Sequence, residues 1–328
     1  MIFRLTTAAL IIAGASISVF AQNAPISRAE SGINQSTAEA QKVVVVTGNR
    51  FSYKLVQKWI DDYNKVNPEV QIIIEARGSN DPLKYDILAE VFEPSPELKK
   101  EREYIYVARY AVLPVANSKS AFAKTYGEKG LNTGLIKQVF FHDIFADQEK
   151  QKAISSPFTV YTRLQKAGVP IVFANYFGYE QKDIRGTAIA GADSHLLKAL
   201  QRDSTGITYL PLPLIYDEQS RNPIQGLVVL PVDVNGNGKV SDNEKFFSSV
   251  DKVIDQLETL DAGDVNNIPL EYLHLSVDRR HASAEAIDFL KWVNENGQAD
   301  LHYYGFLKPE PKRFEKEKFN EFASKHGR

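Results

Sequence analysis

The 328-residue chain contains no cysteine. Disulfides, thiolate metal sites and cysteine nucleophiles are excluded together. A surplus of positive charge is absent too, since 39 Lys and Arg against 41 Asp and Glu give a formal net charge of −2. With no basic stripe to neutralise phosphates, nucleic acid is excluded as a partner. Beyond the N-terminal segment no apolar run approaches the length needed to cross a bilayer, and there are no internal repeats. His142, His195, His274, His281, His302 and His326 show no zinc spacing. There is no P-loop and no Gly-x-Ser-x-Gly elbow, and Gly236-x-Gly238 belongs to a different loop, described below, instead of a dinucleotide fingerprint. No enzyme is expected.

The N-terminus carries Arg4 followed by the apolar stretch LTTAALIIAGASISVF, and Val19-Phe20-Ala21 offers a small-x-small cleavage site before Gln22. Residues 1–21 are expected to be a signal peptide, and the Ala-, Ser-, Asn- and Gln-rich residues 22–41 a disordered leader. No cysteine follows the apolar stretch, so a lipoprotein anchor is not expected. Export without disulfides fits a bacterial periplasm better than a small eukaryotic secreted scaffold. The remaining chain, roughly 290 residues, suits one large or two modest domains.

The sequence DVNGNGKVSDNE from Asp233 to Glu244 matches an EF-hand calcium loop at each constrained position. Asp233, Asn235 and Asn237 supply side-chain oxygens at loop positions 1, 3 and 5, and Gly238 takes the sharp turn at position 6. Lys239 offers its carbonyl at position 7, Ser241 stands at position 9, and Glu244 is the bidentate carboxylate at position 12. An Asn/Gly/Asp-rich surface turn needs no Glu at the last of these positions. GLVVLPV before the loop reads as a strand and KFFSSVDKVIDQLETL after it as a helix. The expectation is a lone Ca2+ site that braces the fold, not a paired-helix switch.

Elsewhere Val43 to Val46 reads as a buried strand. Phe51, Leu55, Val56, Trp59, Ile60 and Tyr63 recur at helical spacing, and Val70 to Glu75 is a second strand. This order predicts a βαβ unit and a parallel sheet, hence an α/β fold. Further expected elements are strands at Tyr85–Val91, Tyr104–Val115, Phe158–Thr162, Ile207–Leu214 and Leu270–Val277. Helices are expected over Leu135–Phe145, Ala192–Arg202 and Ala284–Val293, with a charged, solvated terminal helix.

Backbone N–H groups and a helix dipole converge at the first strand–turn–helix junction, where Thr47, Gly48, Asn49 and Arg50 lie. The turn Arg77-Gly78-Ser79-Asn80 follows the second parallel strand and should emerge on the same sheet edge, the usual ligand crevice of open α/β folds. TGNRFSYKLVQKWIDDY resembles the opening of the phosphate-binding proteins of bacterial ABC importers, with Gly48, Phe51, Lys58, Trp59 and Tyr63 in register. Gly78-Ser79, Tyr85-Asp86-Ile87, the run Tyr110–Val115 followed by Asn117, GITYLPL from Gly206, and the ending AIDFLKWVNENGQADLHYYGFLKP from Ala286 continue the likeness.

The resemblance implies a two-lobed type 2 periplasmic-binding-protein fold, each lobe a mixed, mostly parallel sheet flanked by helices. Residues 42–110 plus 275–328 would form lobe 1 and residues 111–274 lobe 2. It implies capture of phosphate or a related oxyanion by Thr47, Gly48, Asn49, Arg50, Phe51, Ser79, Asn80, Asp86 and Arg163, with Asp86 accepting the ligand's proton. An inner-membrane ABC permease would be the partner, and a monomer is expected. The departures matter equally. Arg50 stands where the family has Thr, and Ala167 and Val169 replace the hydroxyls of its Arg-x-x-x-Ser-Gly-Thr segment, while Arg163 and Gly168 remain. Three readings stay open: phosphate held by charge-assisted bonds, another oxyanion, or a calcium-braced adhesion or sensory module that no longer binds phosphate.

Overall fold

A run of valines is stiff at χ1 and packs well on a pleated surface, and β1 (Val43–Gly48) forms there. The computed structural model describes residues 43–76, 78–79, 81–142, 154, 156–310 and 316–327. The expected signal peptide and leader lie outside them. After the turn at Asn49, α1 (Tyr53–Val66) buries Leu55, Val56, Trp59, Ile60 and Tyr63 along one stripe. β2 (Gln71–Ile74) and β3 (Ile87–Glu90) lie parallel to β1 on its two sides, with Val43 opposite Gln71 and Val46 opposite Ile87. The βαβ unit read from the sequence is present.

The short α2 (Pro96–Glu101), capped by Ser95, leads into β4 (Arg102–Asn117), a strand buried along almost its whole length. α3 (Ala121–Lys129) and α4 (Thr133–Phe140) follow. The helix expected over 135–145 therefore starts earlier, because Asn132 caps it, and stops at Phe140. Next come β5 (Thr159–Arg163), α5 (Gly168–Tyr176), β6 (Thr187–Ile189), α6 (Asp193–Arg202) and β7 (Gly206–Pro211). β8 (Leu227–Val229), α7 (Val250–Thr259), β9 (Leu270–Asp278), α8 (Ala284–Asn296) and α9 (Lys316–His326) complete the chain. The helix after the Asp233–Glu244 loop begins at Val250 and not at Lys245, since Ser249 accepts from Lys252 N–H and caps it. The terminal helix is not fully solvated: Phe319 and Ala323 are buried.

One sheet holds nine strands in the order β2-β1-β3-β9-β4-β7-β5-β6, with β8 also on β4. Its outer pairs, β1 with β2 and β3 and β5 with β6 and β7, are parallel. The centre is antiparallel, because β4 pairs with β9 over Arg102–Ala111 and with β7 over Val112–Ala116. The sheet is mixed, and both expected lobe boundaries fall inside continuous strands, β4 and β9. A bulge at Val107 interrupts β4, and Gln298 Nε2 donates to its carbonyl at 3.0 Å. The chain's last segment returns to this centre: Arg109 and Leu307 exchange backbone hydrogen bonds, and Arg109 Nε donates to Lys308 O at 2.8 Å. Trp59 Nε1 donates to Gly297 O at 2.9 Å, tying α1 to the end of α8.

β1 ends at Gly48 (φ +154°), pressed so closely on β3 that a Cβ there would lie 1.9 Å from Ala89 O. Gly48→Ala should therefore cost about 1–3 kcal/mol, the usual range for forcing extra atoms into a packed site. Urea unfolding of the two proteins checks this, and an unchanged midpoint would show that the strands separate freely.

Candidate functional site

In an open α/β sheet the ligand crevice lies outside the carboxyl ends of the parallel strands. Here the C-terminal ends of β1, β3 and β5 open onto one cleft of about 630 Å³. Gly48, Asn49 and Arg50 line it after β1, and Glu90, Val91 and Phe92 after β3. From the other half of the sheet come Arg163 at the end of β5, Lys166, the start of α5 at Ala167-Gly168, and the start of α6 at Ala192-Asp193. The two walls touch at Gly168, where a Cβ would lie 2.6 Å from Val91 Cγ2 and 3.3 Å from Phe92 Cδ1.

Two features give the cleft an affinity for negative charge. The N-termini of α5 and α6 border this space: Gln181 Oε1 accepts Ala167 N–H at 3.2 Å and His195 Nδ1 accepts Ala192 N–H at 2.8 Å, while the N–H groups that follow have no partner within their own helices. Arg163, 12% exposed, is the buried cation. Its Nη1 donates to Asp193 Oδ1 at 2.9 Å, while its buried Nε finds no acceptor among the described residues. Asp193 is itself 5% exposed. Burial pushes its carboxyl above the ordinary value, although the charge and hydrogen bond of Arg163 pull it down. Gln165 braces the same region by accepting Gly191 N–H at 3.0 Å.

Of the nine anion-site residues expected from the sequence, Gly48, Asn49, Arg50 and Arg163 line the cleft. Thr47 is fully buried and donates to Glu75 O at 2.8 Å. Phe51 packs into the core, with ring centroids 5.1 Å from Tyr110 and 5.9 Å from Phe306. Ser79 Oγ accepts from Asp81 N–H at 3.1 Å and does not line the cleft, and Asn80 lies outside the described residues. Asp86 is a correction: it precedes β3 at the opposite sheet edge, and its Oδ2 accepts Val45 N–H at 2.8 Å. The carboxylates that do reach the cleft are Glu90 and Asp193, neither singled out from the sequence, together with Lys166 and Phe92. The strand direction carried the signal for Glu90, since in a strand parallel to β1 only the C-terminal residue meets the crevice.

The Asp233–Glu244 loop forms a separate structure. Asp233 and Glu244 are 1% and 4% exposed. Asp233 accepts Asn237 N–H at 3.0 Å and Gly238 N–H at 2.7 Å, and Glu244 accepts Asn235 N–H at 2.9 Å and Ser241 N–H at 2.8 Å. Gly236 and Gly238 take positive φ at the turn. Burial raises the Glu244 pKa, but donors from Ser241, Asn235 and Val234 outweigh it and hold the carboxyl below its usual range. Among the described residues no Lys or Arg pairs with either carboxylate. The loop's donors are carboxylate, amide, hydroxyl and carbonyl oxygens, the chemistry that suits a hard cation such as Ca2+. Among the described residues no cluster of three or more His, Asp or Glu side chains is placed to hold a metal, the Asp233–Glu244 loop with its two carboxylates included.

The loop is built into its surroundings. Asn132 Nδ2 donates to Gly238 O at 3.1 Å, and Asn267 Nδ2 donates to Asp233 O at 2.7 Å. Asn266 N–H donates to Val234 O at 2.7 Å. Gly130 leaves room for Val240, which an added Cβ would meet at 2.3 Å.

No protein-family model matches the chain, and no curated protein sequence matches it. Solved structures do. A protein of Clostridium perfringens, assigned as a phosphate ABC transporter substrate-binding protein and solved with bound phosphate, superposes with a TM-score of 0.60 at 12% identity, over 82% of this chain and 100% of that one. An ABC-type phosphate transport receptor from Vibrio cholerae gives 0.55 at 11% identity over 82% and 100%. A protein of Planctomyces limnophilus proposed to bind phosphate gives 0.50 at 13% identity over 87% and 98%. At such identities the likeness establishes the fold. The chain shares with these proteins a mixed α/β fold, a sheet flanked by helices, as the α/β reading of the sequence expected. Among the described residues no helix is long and apolar enough to cross a membrane.

Removing one partner of a buried ion pair strands the other, at a cost of about 3–5 kcal/mol. Arg163→Ala should therefore destabilise the protein strongly, and adding Asp193→Ala should restore much of the loss. Chemical denaturation of both variants checks this, and a double variant no more stable than the single one would mean that the pair is not coupled.

Proposed function

We propose that the protein is a periplasmic solute-binding protein that captures a phosphate-type oxyanion between its two lobes and delivers it to an inner-membrane ABC permease. Residues 42–110 with 275–328 would form one lobe and residues 111–274 the other. The observation that carries the reading is that the N-termini of α5 and α6 line one cleft with the largely buried guanidinium of Arg163, whose Nε has no acceptor among the described residues. Helix N-termini and a guanidinium fork both favour oxyanions. Arg50 and Lys166 add charge at the cleft mouth, and Asn49 a neutral amide. The likeness in fold to the phosphate-bound Clostridium perfringens protein and the Vibrio cholerae phosphate receptor supports the same reading.

Calorimetry near neutral pH should detect oxyanion binding. The double variant Arg163→Ala/Asp193→Ala should weaken it by roughly 10–100-fold, the worth of charge-assisted hydrogen bonds to one guanidinium. Absence of heat, and of any thermal shift, with inorganic phosphate, phosphate monoesters, sulfate or arsenate would favour the rival reading of a calcium-braced adhesion or sensory module.

We also assign Ca2+ to Asp233, Asn235, Asn237, Lys239, Ser241 and Glu244, as a brace and not a sensor. An ion held by the native state alone stabilises it by mass action. Calcium should raise the melting temperature, EDTA should lower it, and Glu244→Gln should abolish most of the difference. A melting temperature indifferent to EDTA in the unmutated protein would exclude the site.

A further inference from the structure

On the reading that the cleft takes an oxyanion, we infer that its ligand is a phosphate monoester of a small organic molecule and not inorganic phosphate. A bare tetrahedral anion leaves water best for a small, closed cage of neutral donors on every side. This cleft has the opposite character. Its lining contains no Ser, Thr or Tyr hydroxyl. Its 630 Å³ falls within the roughly 300–1,000 Å³ of sites for organic ligands. The size does not come from walls standing apart, because they already touch where Gly168 meets Val91 and Phe92.

The lining combines three kinds of group. Arg163 and the N-termini of α5 and α6 suit a phosphoryl group. Phe92 on one wall and Ile171, in the second turn of α5, on the other offer apolar surface that a phosphate ion cannot use. Phe92 and Ile171 are only half-buried, leaving carbon surface for a ligand to cover. Glu90 and Asp193 bring carboxylate oxygens, which repel a second anionic group but accept hydrogen bonds from hydroxyls. A short phosphorylated polyol meets all three demands: its phosphoryl group faces the donors, its carbons cover Phe92 and Ile171, and its hydroxyls reach the carboxylates.

The probes are glycerol 3-phosphate and inorganic phosphate, both largely dianionic near pH 7.5 because the second phosphate pKa lies near 6–7, so the comparison isolates the organic part. With the full-length, calcium-loaded protein, calorimetry should show the ester binding at least about tenfold tighter, the worth of roughly two buried CH₂ groups. Phe92→Ala and Ile171→Ala should each bring the ratio of the two affinities towards unity, with thermal melting confirming that each variant is folded. Inorganic phosphate binding as tightly as the ester, or tighter, would overturn this inference while leaving oxyanion capture intact. An ester preference untouched by both substitutions would overturn the assignment of the walls. Failure of every phosphate-type anion to bind would overturn this inference and the proposed function together.

Discussion

Strand β4 is the constraint to which the rest of the molecule answers. Its backbone is buried from end to end, so every N–H and C=O must find a partner within the protein. A single neighbour on each side cannot serve sixteen residues, and the structure divides the task. β9 covers the first part of β4, β7 and β8 cover the second, Leu307 pairs with Arg109, and Gln298 satisfies the bulged Val107. Two half-sheets of parallel strands are thereby fixed to one antiparallel spine. Their carboxyl ends point into the same space, and the cleft follows from that arrangement.

Cations and carboxylates share the cleft lining: Arg50, Arg163 and Lys166 stand with Glu90 and Asp193, and Arg163 is paired with Asp193, so an arriving anion meets a guanidinium already partly engaged. Such a site selects by geometry and by the remainder of the ligand more than by raw attraction. The Asp233–Glu244 loop lines none of this cleft. Its contacts run instead to Asn132 at the cap of α4 and to Asn266 and Asn267, the residues that lead into β9. The loop therefore bears on the spine from its edge.

The legible parts of the fold were those with a period or a run. The valines of β1, the five buried positions of α1 and the long apolar β4 each left a pattern in the residues. Helix α5 left none, because Val169, Pro170, Val172, Phe173 and Ala174 are all buried and no polar face interrupts them. Its start lines the cleft at Ala167 and Gly168, so an element that shapes the candidate site was also the least visible. At the cleft, Gly48, Asn49 and Arg50 were visible as a strand–turn–helix junction. Asp86 was drawn into the site by the family likeness of Tyr85-Asp86-Ile87 alone, and it stands at the amino end of β3, away from the crevice. Asp193 could be known only from a pairing with Arg163 across thirty residues of chain.

The return of the chain's end to its beginning has a consequence for the order in which the molecule can form. Trp59 waits for a carbonyl 238 residues further along, and Arg109 for one 199 residues further along. β3 has no second neighbour until β9 has been made. Contacts so distant are slow to close, and a chain emerging from its amino end cannot complete its first half early. The segment around Leu307, late in the chain, closes the pairing of β4 at Arg109.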